Sequence, residues 1–433
     1  MGKIFIPDAQ TFPSQAEVII IGGGVLGVAT AFYASKAGLD TVVLEMRDSL
    51  ASLTTTASEE CFRAQFSEPE NVAMMKASIA VFENFADVIG IPGYNIGLHQ
   101  QGYLFFTADP DGPERLRAQV AHQRSIGLDD VEFWTGDEVR HHFPWASPRV
   151  TAATWRAKDG WLSAHELTYG FAKGSDARFL LRTKVTNIVV DKQGVAGVET
   201  NRGTIATRTV VIAAGPFSGK VAQLAGAELP LTILRRQKFI LAPHPDIPQD
   251  APMTIDLGSG AYWRPEVGGA ALGWADALPE QQAELLDSVP TDWTFPALVL
   301  EEVMKLAPFW EKVAASLKRE DVFLSAGQYT ITPDHKPILG PYPDVPGLFL
   351  NVGYSGHGVM GSPEGSRYVV AMIAGGLGVL LVSWPLIFLM LFLMALQSTI
   401  FSPALNGSIP ELYPPSHVMR ANSTLKTVTT SGI

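Results

Sequence analysis

The stretch Glu17-Val18-Ile19-Ile20-Ile21-Gly22-Gly23-Gly24-Val25-Leu26-Gly27 constrains this chain more than any other. Its four apolar residues, three of them isoleucine, read as a buried parallel strand. Gly22, Gly24 and Gly27 follow in G-x-G-x-x-G register. A helix is predicted over 25–37, with Gly38 placed to stop it, and Thr41 to Leu44 form a second apolar strand ending at Glu45. Strand, tight turn, helix and acid together are the dinucleotide-binding fingerprint in its required context. Each glycine has its own task. Gly22 makes the sharp turn, Gly24 lets a pyrophosphate approach the backbone, and Gly27 lets helix and strand pack closely. The helix N-terminus offers free N–H groups to the phosphates. Glu45, 18 residues after Gly27, stands where a carboxylate accepts hydrogen bonds from the adenosine ribose.

With 433 residues the chain can bury a large core in two or three domains. Its net charge of −11 leaves no basic stripe to neutralise phosphates, so a nucleic-acid partner is not expected. The single cysteine, Cys61, rules out a disulfide framework and reads as a small buried filler. Residues 1–15 read as a polar arm without the apolar core of a secretory signal. No metal site is expected, because His141 and His142 have no acidic or thiol partner at ligand spacing. Between Tyr368 and Pro410 there is no charged residue, and 377–397 is a nearly continuous apolar run. A buried final helix would account for 367–374. The longer run has the length of a bilayer-spanning anchor, about 20 residues.

After the nucleotide unit at 16–45, the hydroxyl-rich segment 49–66 is expected to run along the dinucleotide as a loop. Helices are predicted over 68–89, 113–125, 136–142, 164–172, 293–306 and 310–317. Strands are predicted over 102–106, 179–181, 185–190, 195–200, 203–207, 209–215, 231–243, 262–265 and 270–274. Residues 323–374 return to strand, loop and helix. No second G-x-G-x-x-G precedes a helix. A flavoprotein fed by a nicotinamide usually carries a second nucleotide fold, so this absence favours an enzyme that oxidises its own organic substrate.

Several segments carry a family resemblance. The spacing Gly22-x-Gly24-x-x-Gly27-x3-Ala31-x6-Gly38 resembles the FAD form of the fingerprint. The strand 210–218 is similar to a second FAD-contacting segment, and 327–340 and 353–360 are the most specific matches. Together, over residues 17–374, they resemble the D-amino-acid oxidase superfamily of FAD-dependent oxidoreductases, in its glycine and sarcosine oxidase branch. The resemblance implies an α/β fold. A Rossmann-like FAD-binding domain (GR2-type) would be built from about 16–75, 150–220 and 323–375. A second, α+β, sheet-rich substrate domain would come from about 76–149 and 221–322. It implies noncovalent FAD, with Gly22, Gly24, Val25, Leu26 and Gly27 at the pyrophosphate and Glu45 at the ribose. Val185 would meet the adenine, while Ser58, Ala214 and Gly215 would pass close to the cofactor. The turn Gly356-His357-Gly358-Val359-Met360 would lie along the flavin ring. Two departures stand out. Gly327 occupies the position where sarcosine oxidases attach FAD to a cysteine, so that thioether cannot form. Met360 replaces their carboxylate-binding lysine. Arg63 and Arg264 are the remaining carboxylate clamps, and His357, Tyr262 and Tyr329 complete the candidate catalytic set. Residues 376–433 form a hydrophobic helical tail, and the segment 394–422 resembles part of a major-facilitator lysophospholipid transporter; a fused or artefactual reading frame is the expectation there.

The expected activity is oxidation of the C–N bond of a secondary or tertiary amine or amino acid, sarcosine-, glycine- or dimethylglycine-like, by hydride transfer to flavin N5. O2, a quinone or an electron-transfer protein would be the acceptor. Two alternatives stand beside it: an assembly-factor flavoprotein with structural FAD, and a membrane-bound dehydrogenase that reduces quinone and touches the membrane through 377–397. The catalytic part is expected in the cytoplasm. No strong general base is legible in the sequence.

Overall fold

The apolar run Val18–Ile21 becomes a fully buried strand in a seven-stranded sheet. The order across that sheet is Lys3–Phe5, Arg178–Leu180, Thr41–Leu44, Val18–Ile21, Val210–Ile212, Leu348–Val352 and Ile338–Pro341. The first six are mutually parallel, and the last closes the edge antiparallel. Such strands are apolar throughout because both faces are covered. The computed structural model describes residues 2–275 and 283–380, with side chains to 375. Residues 1–370 are one compact unit; 371–433 form a second.

The helix Val25–Lys36 starts directly after the glycine turn and packs on the helix Ala164–Gly174, where Phe32 and Phe171 lie 5.1 Å apart. A buried polar network pins it to the distant C-terminal strand. Asn351 Nδ2 donates to the Thr30 hydroxyl at 2.9 Å and to Ser366 Oγ at 3.1 Å, and the Tyr354 hydroxyl donates to Asn351 Oδ1 at 2.6 Å. Satisfied buried polar groups of this kind fix one packing arrangement over its alternatives.

The second sheet has eight strands, in the order Val322–Ile331, Thr232–Leu241, Gly269–Trp274, Ala261–Glu266, Met253–Asp256, Tyr103–Thr107, Ala152–Arg156 and Glu132–Thr135. Alternation along these strands sorts side chains onto two faces. Trp263, Phe239 and Leu272 point into a core closed by the helices Phe295–Leu306 and Trp310–Ser316. Phe105, Ile255, Tyr262 and Lys238 share one register row and so belong to the opposite face.

Three differences from the sequence expectations have physical reasons. The polar arm is structured: Lys3–Phe5 adds an edge strand, and Phe5 and Phe12 pack on the core. A three-residue strand is too short for its periodicity to be read. Met253–Asp256 and Glu132–Thr135 are strands for which four residues carry no legible pattern. Ala152–Arg156 and Val322–Ile331, placed by the sequence with the nucleotide-binding segments, pair in the eight-stranded sheet.

The last described helix is Gly358–Leu380. Among the described residues no helix is long and apolar enough to cross a membrane. The expected membrane span therefore has no counterpart there. Most of 377–397, and all of the transporter-like segment, lie outside the described residues.

Candidate functional site

A cavity of about 660 Å³ opens along the carboxyl ends of the parallel strands and the second sheet. Gly22, Gly23, Gly24, Val25, Leu26, Glu45, Ser58, Val185, Ala214 and Gly215 line it, and so do Tyr329, Gly356, Gly358 and Val359. Of the expected cofactor residues, Gly27, His357 and Met360 lie outside the lining.

The glycines act where the backbone leaves no choice. Gly22 has φ 117°, and a Cβ there would meet the Ala213 carbonyl oxygen at 2.4 Å. At Gly27 a Cβ would sit 1.9 Å from the Gly22 oxygen, so this glycine sets the helix against the turn rather than touching a ligand. A Cβ at Gly24 would meet only Thr55 Oγ1 at 3.4 Å, and at Gly215, φ 54°, nothing within 4 Å. Both backbones are thus open for an elongated ligand to approach. Glu45 is buried, and its carboxylate accepts the N–H groups of Gly23 at 2.7 Å and Arg47 at 2.8 Å. Burial raises its pKa, against those backbone bonds. Each carboxylate oxygen retains a lone pair for a ribose hydroxyl.

Thr55 was not singled out by the sequence. Its hydroxyl accepts the Val25 N–H at 3.2 Å, holding the hydroxyl-rich loop against the helix N-terminus. The threonine run at 54–56 was the available signal. Arg47, Lys220, Leu285 and Asp287 also line the cavity without a sequence signature; Arg47 pairs with Asp287 at 2.9 Å.

At the other end, a Cβ on Gly356 would meet the Tyr329 ring at 3.0 Å. Next to this turn the His357 ring meets Phe66 edge-on at 5.2 Å, and Arg63 Nη2 lies 3.5 Å from His357 Nε2. Burial, then the Arg63 charge, pulls the imidazole down to about 3, so the ring is neutral. Arg63 is half-buried. Its guanidinium sits 3.9 Å over the Phe66 ring and 5.4 Å from that of Phe105, and donates to the Gln65 carbonyl. No carboxylate forms an ion pair with it among the described residues. Arg264 differs. It is 1% exposed, bonded to Glu266 and the Glu59 carbonyl, with Glu60 at 3.7 Å. Its charge is matched within the chain, which corrects the expectation of a free clamp there. Tyr262 donates to Glu59 Oε1 at 3.3 Å. Burial pushes the Tyr262 hydroxyl well above its ordinary range and that of Tyr329 to about 12, so both stay protonated donors. Cys61 is buried, its thiol pushed up to about 12, as expected of a filler. Gly327 is tight: a Cβ would meet that of Ala57 at 2.8 Å. Among the described residues no cluster could hold a metal.

The chain belongs to the DAO family of FAD dependent oxidoreductases, whose sequence model matches residues 17–372. It is 26% identical over 415 residues to FAD-dependent oxidoreductase domain-containing protein 1 of Xenopus laevis, covering 86% of this chain and 82% of that protein. To the mitochondrial sarcosine dehydrogenase of Homo sapiens it is 25% identical over 367 residues, 81% of this chain and 39% of that longer protein. Among solved structures, the L-proline dehydrogenase from P. horikoshii matches with a TM-score of 0.74 at 27% identity, over 84% of this chain and 95% of that one. The open backbones at Gly24 and Gly215, the ribose-ready Glu45 and the elongated cavity fit the family's cofactor.

Proposed function

We propose that this FAD dependent oxidoreductase oxidises the C–N bond of an amino acid carrying a secondary or tertiary amine. The observation that supports it is Arg63, a guanidinium without a carboxylate partner among the described residues, held beside the Gly356 turn by Phe66 and His357. A half-buried cation set among rings favours a counter-charge, and a planar guanidinium matches a carboxylate in bidentate fashion. Gly22 to Leu26, Ser58, Val185, Ala214, Gly215 and the Gly356–Val359 turn would hold FAD, which supplies the capacity to take a hydride from carbon. Successive backbone N–H groups at Gly356 and Gly358 would favour negative charge on the ring beside them. Arg63 orients the substrate; Phe66, Phe105, Tyr262 and Tyr329 exclude water and leave the carbon next to nitrogen facing the cofactor. The reading also assigns nucleotide binding to the seven-stranded sheet and substrate binding to the eight-stranded sheet as roof, with Ala152–Arg156 and Val322–Ile331 in the latter.

Anaerobic mixing of the flavin-loaded protein with N-methyl amino acids and with the matching amines lacking a carboxylate tests this. Bleaching by the acids alone is the expected result. Bleaching by neither refutes the reading and leaves FAD a structural part; repeating the reaction with O2 and with a quinone analogue identifies the acceptor.

A further inference from the structure

We infer that Glu59 receives the substrate's ammonium group and removes its proton, so that the site is built for a zwitterion between Glu59 and Arg63. This rests on the amino-acid reading above and names the base which that reading lacks. The geometry carries it. Tyr103, Phe105, Tyr262 and Tyr329 come from three strands of one sheet. Cys61, Tyr103, Phe105 and Tyr262 pack as one cluster, and the Tyr103 and Phe105 rings lie 5.2 Å apart. Arg63 stands at the Phe105 side of this cluster, and Glu59 at the Tyr262 side. Tyr329, at the Gly356 turn, completes the frame. A positive and a negative group thus flank one aromatic wall beside the flavin end of the cavity. Aromatic faces also favour an alkylated ammonium.

Glu59 has the free valence this role needs. Oε1 takes the Tyr262 hydroxyl, while Oε2 is buried and accepts no hydrogen bond from any described residue. A buried carboxylate oxygen without a donor is costly, and such groups mark functional positions. The other groups facing it are poor bases: the Tyr262, Tyr329 and Tyr103 hydroxyls and the Cys61 thiol are held protonated by burial; the neutral His357 ring, at the Arg63 side, is a weak base. Arg264, with Glu60 at 3.7 Å, donates its Nε to the Glu59 carbonyl, and Lys238, in the register row of Tyr262, donates to the Ser58 carbonyl. In the step itself, an N–H bond of the ammonium breaks, its electron pair stays on nitrogen, and an O–H bond forms at Glu59 Oε2. The neutral amine is the form from whose adjacent carbon bound FAD would take a hydride.

Two measurements on the flavin-loaded full chain test this. In anaerobic stopped flow with an N-methyl amino acid, Glu59→Gln is expected to slow bleaching at pH 7 by about 10²-fold and to converge on wild type near pH 10, where the amine is neutral in water. In equilibrium binding without turnover, followed by the flavin spectrum, an N,N,N-trimethyl amino acid should bind the variant about tenfold more weakly, and acetate equally well. An unchanged pH profile with unchanged trimethyl-ligand affinity overturns the inference while wild-type bleaching leaves the amino-acid reading standing; silence of the wild type removes both. Should Glu59→Gln hold no flavin, Glu59→Asp serves: a slower reaction with the wild-type pH dependence supports the role, and an unchanged rate overturns it.

Discussion

Asp159→Asn isolates the device that aims Arg63. Asp159 is fully buried, and three donors converge on its carboxylate: Arg156 Nη1 at 2.5 Å, the Ala64 N–H at 3.0 Å and Gln65 Nε2 at 3.2 Å. Gln65 in turn accepts the Thr154 hydroxyl at 2.8 Å and donates to the Tyr103 carbonyl, and its own carbonyl receives Arg63. An asparagine has one acceptor for these three donors. Whichever way its amide turns, an N–H faces another N–H in a place that water does not reach. Removing one partner of a buried ion pair costs roughly 3–5 kcal/mol when the other is stranded. Arg156 is not stranded, because Asp130 holds it at 2.7 and 2.9 Å and is itself partly exposed. The expected loss is therefore nearer about 1–3 kcal/mol, the range for an unsatisfied buried group. Urea unfolding of the flavin-bound protein reads this as a lower midpoint at unchanged slope. The same variant should raise KM for carboxylate substrates more than it lowers kcat, since Arg63 loses its anchor but the cofactor site does not. An unchanged midpoint would refute the reasoning about the network, and an unchanged KM would show that Arg63 is aimed by Phe66 and His357 alone.

Gly27→Ala should weaken FAD binding by about 10–100-fold in a flavin-fluorescence titration, because its Cβ would lie 1.9 Å from the Gly22 oxygen and push the helix N-terminus out of phosphate reach. Arg63→Ala should raise KM for the amino acid by about 10²-fold or more, and Arg63→Lys should recover only part of it, since an ammonium lacks the planar fork; equal KM values in steady-state kinetics would remove the clamp. His357 has its pKa lowered in the folded state to about 3, so the unfolded chain binds the proton more readily, and its neutral ring stabilises the fold above pH 6.5 and progressively less as pH falls toward 3. His357→Gln should accordingly flatten the acid arm of the stability curve between those values in thermal melts, and a ring proton resonance that titrates near 6.5 in the wild type would contradict this. Acid precipitation should release all flavin from the chain, because Gly327 offers no thiol and the Cys61 thiol is buried and held protonated; colour retained in the pellet would show a covalent link.

The sequence by itself determined the nucleotide end. Strand, turn and helix around Gly22–Gly27 are written within about 30 residues of sequence, where the apolar run and the absence of Cβ atoms are legible without any distant contact being known. The resemblance carried by 353–360 was likewise legible, as were the Gly327 and Met360 departures. Only the tertiary structure decided the substrate end. Arg63 and Arg264 are equivalent in sequence, and what separates them is that the Glu266 and Glu60 carboxylates fold onto one, while rings, a neutral histidine and the Gln65 carbonyl meet the other. Glu59 sits beside Glu60 in an unremarkable acidic pair. Its place next to Tyr262, 203 positions away, brings a segment outside the eight-stranded sheet against one strand of that sheet, and such long-range packing is encoded by no local pattern.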